Sequence, residues 1–339
     1  MNTRAAVSDD SGVGPMRSSR TIRLIVTCTD RKTLVVPDER LMRNVPGDPD
    51  ARWAEWSERI TPDATSSAAA PALPARNLYS GEHWSVVDSI EPTIGPWNVE
   101  LWIASAGLGL IPASAEIQAY GATFSNGAAD SITRGVPAEA RRAYNSAWWS
   151  ALASHSRSIT ALARTNPKAP LVFAGSPAYL HPLAEDLEAA TAELTGDASM
   201  FIVTSGASSI PGAVMLRVED RLATPEGLGG SLVSVNARLA RWLIQSAEEH
   251  SFNPIEVQNC LDSLLESCPD RPKFDRERVD DEDVKHFIRS EFQLAATEQR
   301  QSLSHSSLLR KFRDSGKACE QKKFGALYKE VANETKGMS

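Results

Sequence analysis

Ile22-Arg23-Leu24-Ile25-Val26-Thr27-Cys28-Thr29-Asp30-Arg31-Lys32 is an apolar run that stops abruptly in a thiol, a carboxylate and two cations. Its aliphatic stretch reads as a buried strand. A strand ending in such a cluster sets reactive groups at the carboxyl edge of a sheet, where open α/β folds bind ligands. Arg31 and Lys32 put positive charge beside a residue whose nucleophilic form is the thiolate. From the thiol alone, a small buried residue closing a strand is the commoner role.

Further apolar runs follow at Val99–Ser105, Pro170–Ala174, Ser199–Thr204 and Ala213–Val218. Helical patterns at Pro137–Arg164, Ala178–Leu194 and Leu232–His250 separate or follow them, and the tryptophans of the first belong to its core face. Strands alternating with helices predict an α/β fold, a mostly parallel sheet with helices on both faces, over residues 21–250. Proline-containing breaks around 61–74 predict a flexible insertion at 33–74 that contains a short amphipathic helix near Ala51–Ile60. Residues 1–20 are rich in Ser, Gly and charge and read as a disordered tail.

Residues 251–299 read as a helical connector, and residues 300–339 as two short helices joined at Ser315-Gly316. Helix, glycine turn and basic helix is the outline of a helix-turn-helix, with Arg310, Lys311, Lys322, Lys323 and Lys329 available to phosphates. A helical hairpin packed on the main domain fits the same pattern. The chain's net charge is −7, yet residues 300–339 carry +5 and the rest −12. A basic end on an acidic body suggests a local contact with an anion and argues against broad coating of DNA. Four scattered cysteines without a Cys-x-x-Cys pair suit a reducing cytoplasm, with neither a disulfide framework nor a zinc site, and no cofactor is expected. No apolar run approaches a membrane span.

Three more segments end or follow strands in small polar residues. They are Pro74-Ala75-Arg76-Asn77-Leu78-Tyr79-Ser80-Gly81-Glu82-His83-Trp84, Ser105-Ala106-Gly107-Leu108-Gly109-Leu110-Ile111 and Tyr120-Gly121-Ala122-Thr123-Phe124-Ser125. Each alone is ordinary turn chemistry. A parallel sheet, however, can bring such strand ends to one edge. The glycines at 107 and 109 would let backbone N–H groups approach a planar or anionic ligand.

Taken in order with the strand that ends in Cys28 and Lys32, these motifs resemble the DUF6884/YaaA-like superfamily over about residues 20–130. With its basic tail the chain is most similar there to the C-protein group of the bacterial systems that place 7-deazaguanines in DNA. That resemblance implies hydration of the nitrile of 7-cyano-7-deazaguanine in DNA to the 7-amido form. Partners would be DNA carrying the modified base and other proteins of a modification system. Such chemistry suggests Cys28 as nucleophile and Asp30 as acid–base group, with Glu82 or His83 as the alternative. Lys32, Arg76, Ser105, Gly107, Gly109 and Tyr120 would bind substrate, and Trp84 or Tyr120 could stack on the base. For His83 and Trp84 a structural role is the simpler expectation. A non-catalytic DNA-binding or DNA-protecting module, a base-excising enzyme and an enzyme of the free base are the competing classes.

Overall fold

The computed structural model describes residues 20–61, 71–271, 275–297 and 304–337. The expected tail lies outside these residues except for Arg20, which opens the first strand. The chain divides into two compact units, residues 1–270 and 271–339.

In the first unit the elements follow in order. They are β1 (Arg20–Thr27), α1 (Pro49–Ile60), β2 (Ala72–Pro74), α2 (Ala75–Leu78), α3 (Glu82–Asp88), β3 (Thr93–Ile94), β4 (Trp97–Ser105), β5 (Gly109–Pro112) and β6 (Glu116–Gln118). Then come α4 (Arg141–His155), α5 (Ile159–Thr165), β7 (Leu171–Ala174), α6 (Pro177–Glu193), β8 (Met200–Thr204), β9 (Val214–Arg217), α7 (Val235–Gln245), α8 (Ala247–His250) and α9 (Pro254–Ser267). Five strands form a parallel core in the spatial order β4-β1-β7-β8-β9, and β3 and β5 add antiparallel pairing to β4. All five correspond, within two residues at each end, to the apolar runs named above. Helices flank the sheet on both faces, with α6 packed on β8 and α7 packed on β7 and β8.

The chain lays β4 on one side of β1 and β7, β8 and β9 on the other. Strand order therefore reverses at β1, and the carboxyl ends of β1 and β7 mark the topological switch point, the edge at which open α/β sheets bind ligands. β1 is buried from Ile22 onward because both its faces are covered. Arg23 survives there because its guanidinium is satisfied by Glu100 (3.1 Å), the Leu162 carbonyl (2.5 Å) and Thr165 Oγ1 (2.6 Å).

The single helix expected at 137–164 is two. Ser158 accepts a hydrogen bond from the Ala161 N–H and starts α5 afresh, which breaks the pattern after His155. The expected flexible insertion is built into the fold over residues 33–61. Met42, Val45, Trp56 and Ile60 join the core, and Arg52 of α1 donates to the Ile132 and Arg134 carbonyls. Residues 62–70 lie outside the described residues.

The boundary at 270/271 divides the expected connector. α9 buries Val257, Leu261 and Leu265 in the first unit. The remainder joins the second unit, which contains β10 (Glu277–Arg278), α10 (Asp281–Thr297), α11 (His305–Asp314), β11 (Lys317–Ala318) and α12 (Gln321–Gly337). Its own core comprises Val284 and Ile288 of α10, Leu308, Leu309 and Phe312 of α11, and Phe324, Leu327 and Val331 of α12. β10 and β11 pair in parallel. Among the described residues no helix is long and apolar enough to cross a membrane.

Candidate active site at the switch point

β1 ends at Thr27, and the Cys28 N–H carries its ladder one step further, to the Ala104 carbonyl (3.1 Å). The thiol therefore sits at the carboxyl edge, at the reversal of strand order. Cys28 is only 8% exposed, and its Sγ lies 3.2 Å from the phenolic oxygen of Tyr179. Tyr179 belongs to the first turn of α6, which Pro177 opens directly after β7. It also hydrogen-bonds Thr123 and meets Phe124 edge-on at 5.2 Å. Nothing in the helical pattern of 178–194 marks Tyr179 as a site residue. Only the β7–α6 turn aims it at the thiol.

Lys32 bridges in antiparallel fashion to Tyr79. Its Nζ donates to the carbonyls of Thr29 (2.8 Å) and Asp30 (3.2 Å) and stands over the rings of Tyr120 (4.8 Å) and Tyr79 (5.7 Å). Burial lowers the Lys32 pKa, against the opposing pull of negative charge on Cys28, Asp30 and Asp130. The hydroxyls of Tyr79, Tyr120 and Ser105 are linked in series, 2.6 Å and 2.5 Å apart. Burial raises the pKa of Tyr79, Tyr120 and Tyr179 well above the usual phenol range, so all three remain protonated at neutral pH. Tyr120 is wholly enclosed and does not present a ring for stacking on a base.

The glycine turn is a closed β-hairpin loop between β4 and β5. Gly109, at φ +76°, ends the loop in the left-handed region and pairs with Ser105. The Gly107 and Leu108 N–H groups, expected to face a ligand, both donate to Ser105 Oγ (3.1 and 2.9 Å). The carbonyls are occupied too: Trp148 donates to Ala106 O and Trp56 to Gly107 O, each at 2.8 Å. A Cβ at Gly107 would stand 2.6 Å from the Tyr120 ring, so this glycine serves packing. The turn braces the tyrosines and is not an open anion hole.

The other expected site residues are placed as follows. The Asp30 carboxylate is exposed, and its carbonyl is the group that holds Lys32. Arg76 forms a surface ion pair with Asp88 (2.8 Å). Trp84 is core, donating to the Arg76 carbonyl and packing on Tyr79 at 5.0 Å. Glu82, expected as an acid–base group, accepts from Arg238 (2.7 Å), Ser231 Oγ (2.7 Å) and Ser234 Oγ (2.9 Å). These bonds, Arg238 foremost, lower its pKa to about 2, which holds it ionised as a tie between α3 and α7. His83 hydrogen-bonds the backbone of Thr27, one residue from the thiol, and burial lowers its pKa. Its Nε2 is buried with no partner among the described residues.

In the second unit, Ser304 caps α11, and Gly316, at φ +82°, makes the turn that leads through β11 to α12. Glu320 accepts from the Lys322 and Lys323 N–H groups (both 3.1 Å) at the start of α12. Two of the expected phosphate contacts are paired within the unit, Lys311 with Glu291 (2.7 Å) and Lys323 with Asp281 (2.5 Å). Arg310, Lys322 and Lys329 are exposed, with no ion pair among the described residues. Fifteen Lys/Arg against twelve Asp/Glu give residues 271–339 a net +3, because acidic α10 belongs with the basic tail.

Among the described residues no group of three or more His, Cys, Asp or Glu could hold a metal ion. A cavity of about 1110 Å³ lies at the opposite, amino-terminal edge of the sheet, lined by Arg20, Trp97, Lys168, Asp197 and Asn253 among others, far from the thiol in the fold. No family model, curated protein or solved structure matches this chain.

Proposed function

We propose that the first unit is a cysteine-dependent enzyme that hydrates the nitrile of 7-cyano-7-deazaguanine in DNA to the amide, and that the second unit contacts the DNA. The observation that carries this reading is the convergence of Cys28, Lys32, Tyr79, Ser105 and Tyr120, from separate motifs, at the switch-point edge of the sheet. A nitrile is electrophilic at carbon, and a thiolate adds to it without a metal. Lys32 supplies positive charge where negative charge would develop on nitrogen. Asp30 lies close enough to act on Lys32 electrostatically, so its role is to hold the cation. A base inside a duplex must be unstacked to reach a pocket, and exposed Arg310, Lys322 and Lys329 would hold the phosphates meanwhile.

The test is mass spectrometry of a duplex carrying the cyano base, and separately of the free base, before and after incubation. Amide in the duplex is the expected product, absent with Cys28→Ala. Loss of the base indicates glycosidic cleavage, conversion of the free base alone a small-molecule enzyme, and no change a binding module. Each of those three results rejects the proposal.

A further inference from the structure

The chain of hydroxyls beside Cys28 has a direction that can be counted. A serine hydroxyl has two acceptor lone pairs and one proton. Both lone pairs of Ser105 are taken by the Gly107 and Leu108 N–H groups, so its proton goes to the tyrosine pair. Ser105 meets Tyr120 at 2.5 Å, and Tyr120 meets Tyr79 at 2.6 Å. Three protons thus share two donations: one from Ser105, one between the tyrosines. A hydroxyl that accepts is polarised to donate onward. The sequence is then Ser105 to Tyr120 to Tyr79, and the Tyr79 O–H is the donor left over, because its other hydroxyl neighbour, Ser105, has no lone pair free to accept it.

This spare donor is not isolated. Lys32 Nζ uses two of its three N–H bonds on the Thr29 and Asp30 carbonyls and stands above both tyrosine rings. Cys28 hydrogen-bonds through its N–H to the carbonyl of Ala104, the residue before Ser105, and negative charge on the thiol acts on Lys32, Tyr79 and Tyr120 alike. Nucleophile, cation and uncommitted phenol therefore meet at one sheet edge.

We infer that Tyr79 is the acid of this site, its O–H delivering a proton to the ligand atom on which negative charge develops as Cys28 attacks. The inference rests on the nitrile-hydration reading. The Cys28 S–C bond forms, one C–N π bond breaks, and its electron pair goes to nitrogen, which takes the Tyr79 proton. A neutral thioimidate and a Tyr79 phenolate beneath the Lys32 cation result. Water then adds to the same carbon, one of its protons passing to nitrogen. In the collapse the remaining O–H proton returns to Tyr79, C=O forms, and the C–S bond breaks with its electron pair leaving on sulfur. The sum is nitrile plus water to amide, with both residues regenerated.

The experiment compares wild type and Tyr79→Phe on a duplex carrying the cyano base and, in parallel, measures Cys28 alkylation by iodoacetamide, which needs no acid. A fall of about 100-fold or more in the hydration rate constant, with alkylation within twofold of wild type, is expected. Hydration by Tyr79→Phe within threefold of wild type overturns the inference and leaves the nitrile reading standing. Wild type that alkylates but does not hydrate overturns the nitrile reading itself. Where Tyr79→Phe loses hydration and alkylation together, the isosteric Tyr79→3-fluorotyrosine decides. Its more acidic phenol should move the alkaline limb of the pH–rate profile to lower pH, and an unmoved profile overturns the role.

Discussion

Glu82 and His83 are neighbours that both titrate below their ordinary values, and both bear on how the first unit tolerates acid. Glu82 is held at a pKa of about 2, from an ordinary 4.5, by Arg238 and two serine hydroxyls. A depressed carboxylate contributes stability that is fully present above its unfolded value. That contribution drains away as pH falls from 4.5 towards 2. Glu82→Gln should therefore be less stable than wild type at pH 7, with the difference shrinking across that window in urea titrations. A difference constant from pH 7 to pH 3 would contradict the assignment. His83 is depressed by burial from 6.5, so the unfolded chain binds its proton first and stability falls as pH drops below 6.5. His83→Asn should flatten the fall in stability that begins as pH drops below 6.5, read in the same urea titrations, and an unchanged slope there would contradict the assignment.

At the scale of elements, the β4–β5 hairpin governs the geometry of the tyrosines. Adding a methyl at Gly107 drives it into the Tyr120 ring and towards Trp56. Gly107→Ala should cost about 1–3 kcal/mol, the usual range for overpacking a filled interior, read as a lowered urea midpoint. Ser105→Ala removes the acceptor of two turn N–H groups and the first donor of the hydroxyl chain. A loss of about 1–3 kcal/mol follows from those unsatisfied groups, and near-wild-type stability would show that the turn finds other partners. The strands themselves were legible because parallel strands covered on both faces must be continuously apolar. The role of the glycine turn was not. A Gly-x-Gly after a strand reads the same whether its N–H groups face a ligand or fold back, and the deciding partner here is the serine side chain two residues before Gly107. Arg76, Glu82 and Trp84 were likewise ambiguous, since Asp88, Arg238 and the Arg76 carbonyl become their partners only once the chain is folded.

For the whole molecule, the division after Asp270 sets where the chain can be cut. Truncation after Asp270 keeps α9 and the entire first-unit core, so Cys28 alkylation and the melting of that unit should match the full chain. Truncation after Glu298 strands α10 with Val284 and Ile288 uncovered, since their partners lie on α11 and α12. That protein should aggregate or bind a hydrophobic dye, whereas the shorter one should not. Equal behaviour of the two truncations would show that α10 does not depend on the helices after it. Phe324→Ala, which hollows the second core, should destabilise that unit by about 3–5 kcal/mol and leave Cys28 reactivity unchanged.

The apolar runs by themselves determined the five parallel strands and the position of Cys28 at the end of the first, because burial on both faces leaves a signal that needs no partner. Tertiary structure alone decided the rest. It set the strand order that puts Cys28 at a switch point, brought Tyr179 from a helix 151 positions away to the thiol, and turned the glycine loop inward. It also joined an acidic helix to the basic tail. A hydrogen bond or an ion pair belongs to two residues, and only folding brings distant partners together.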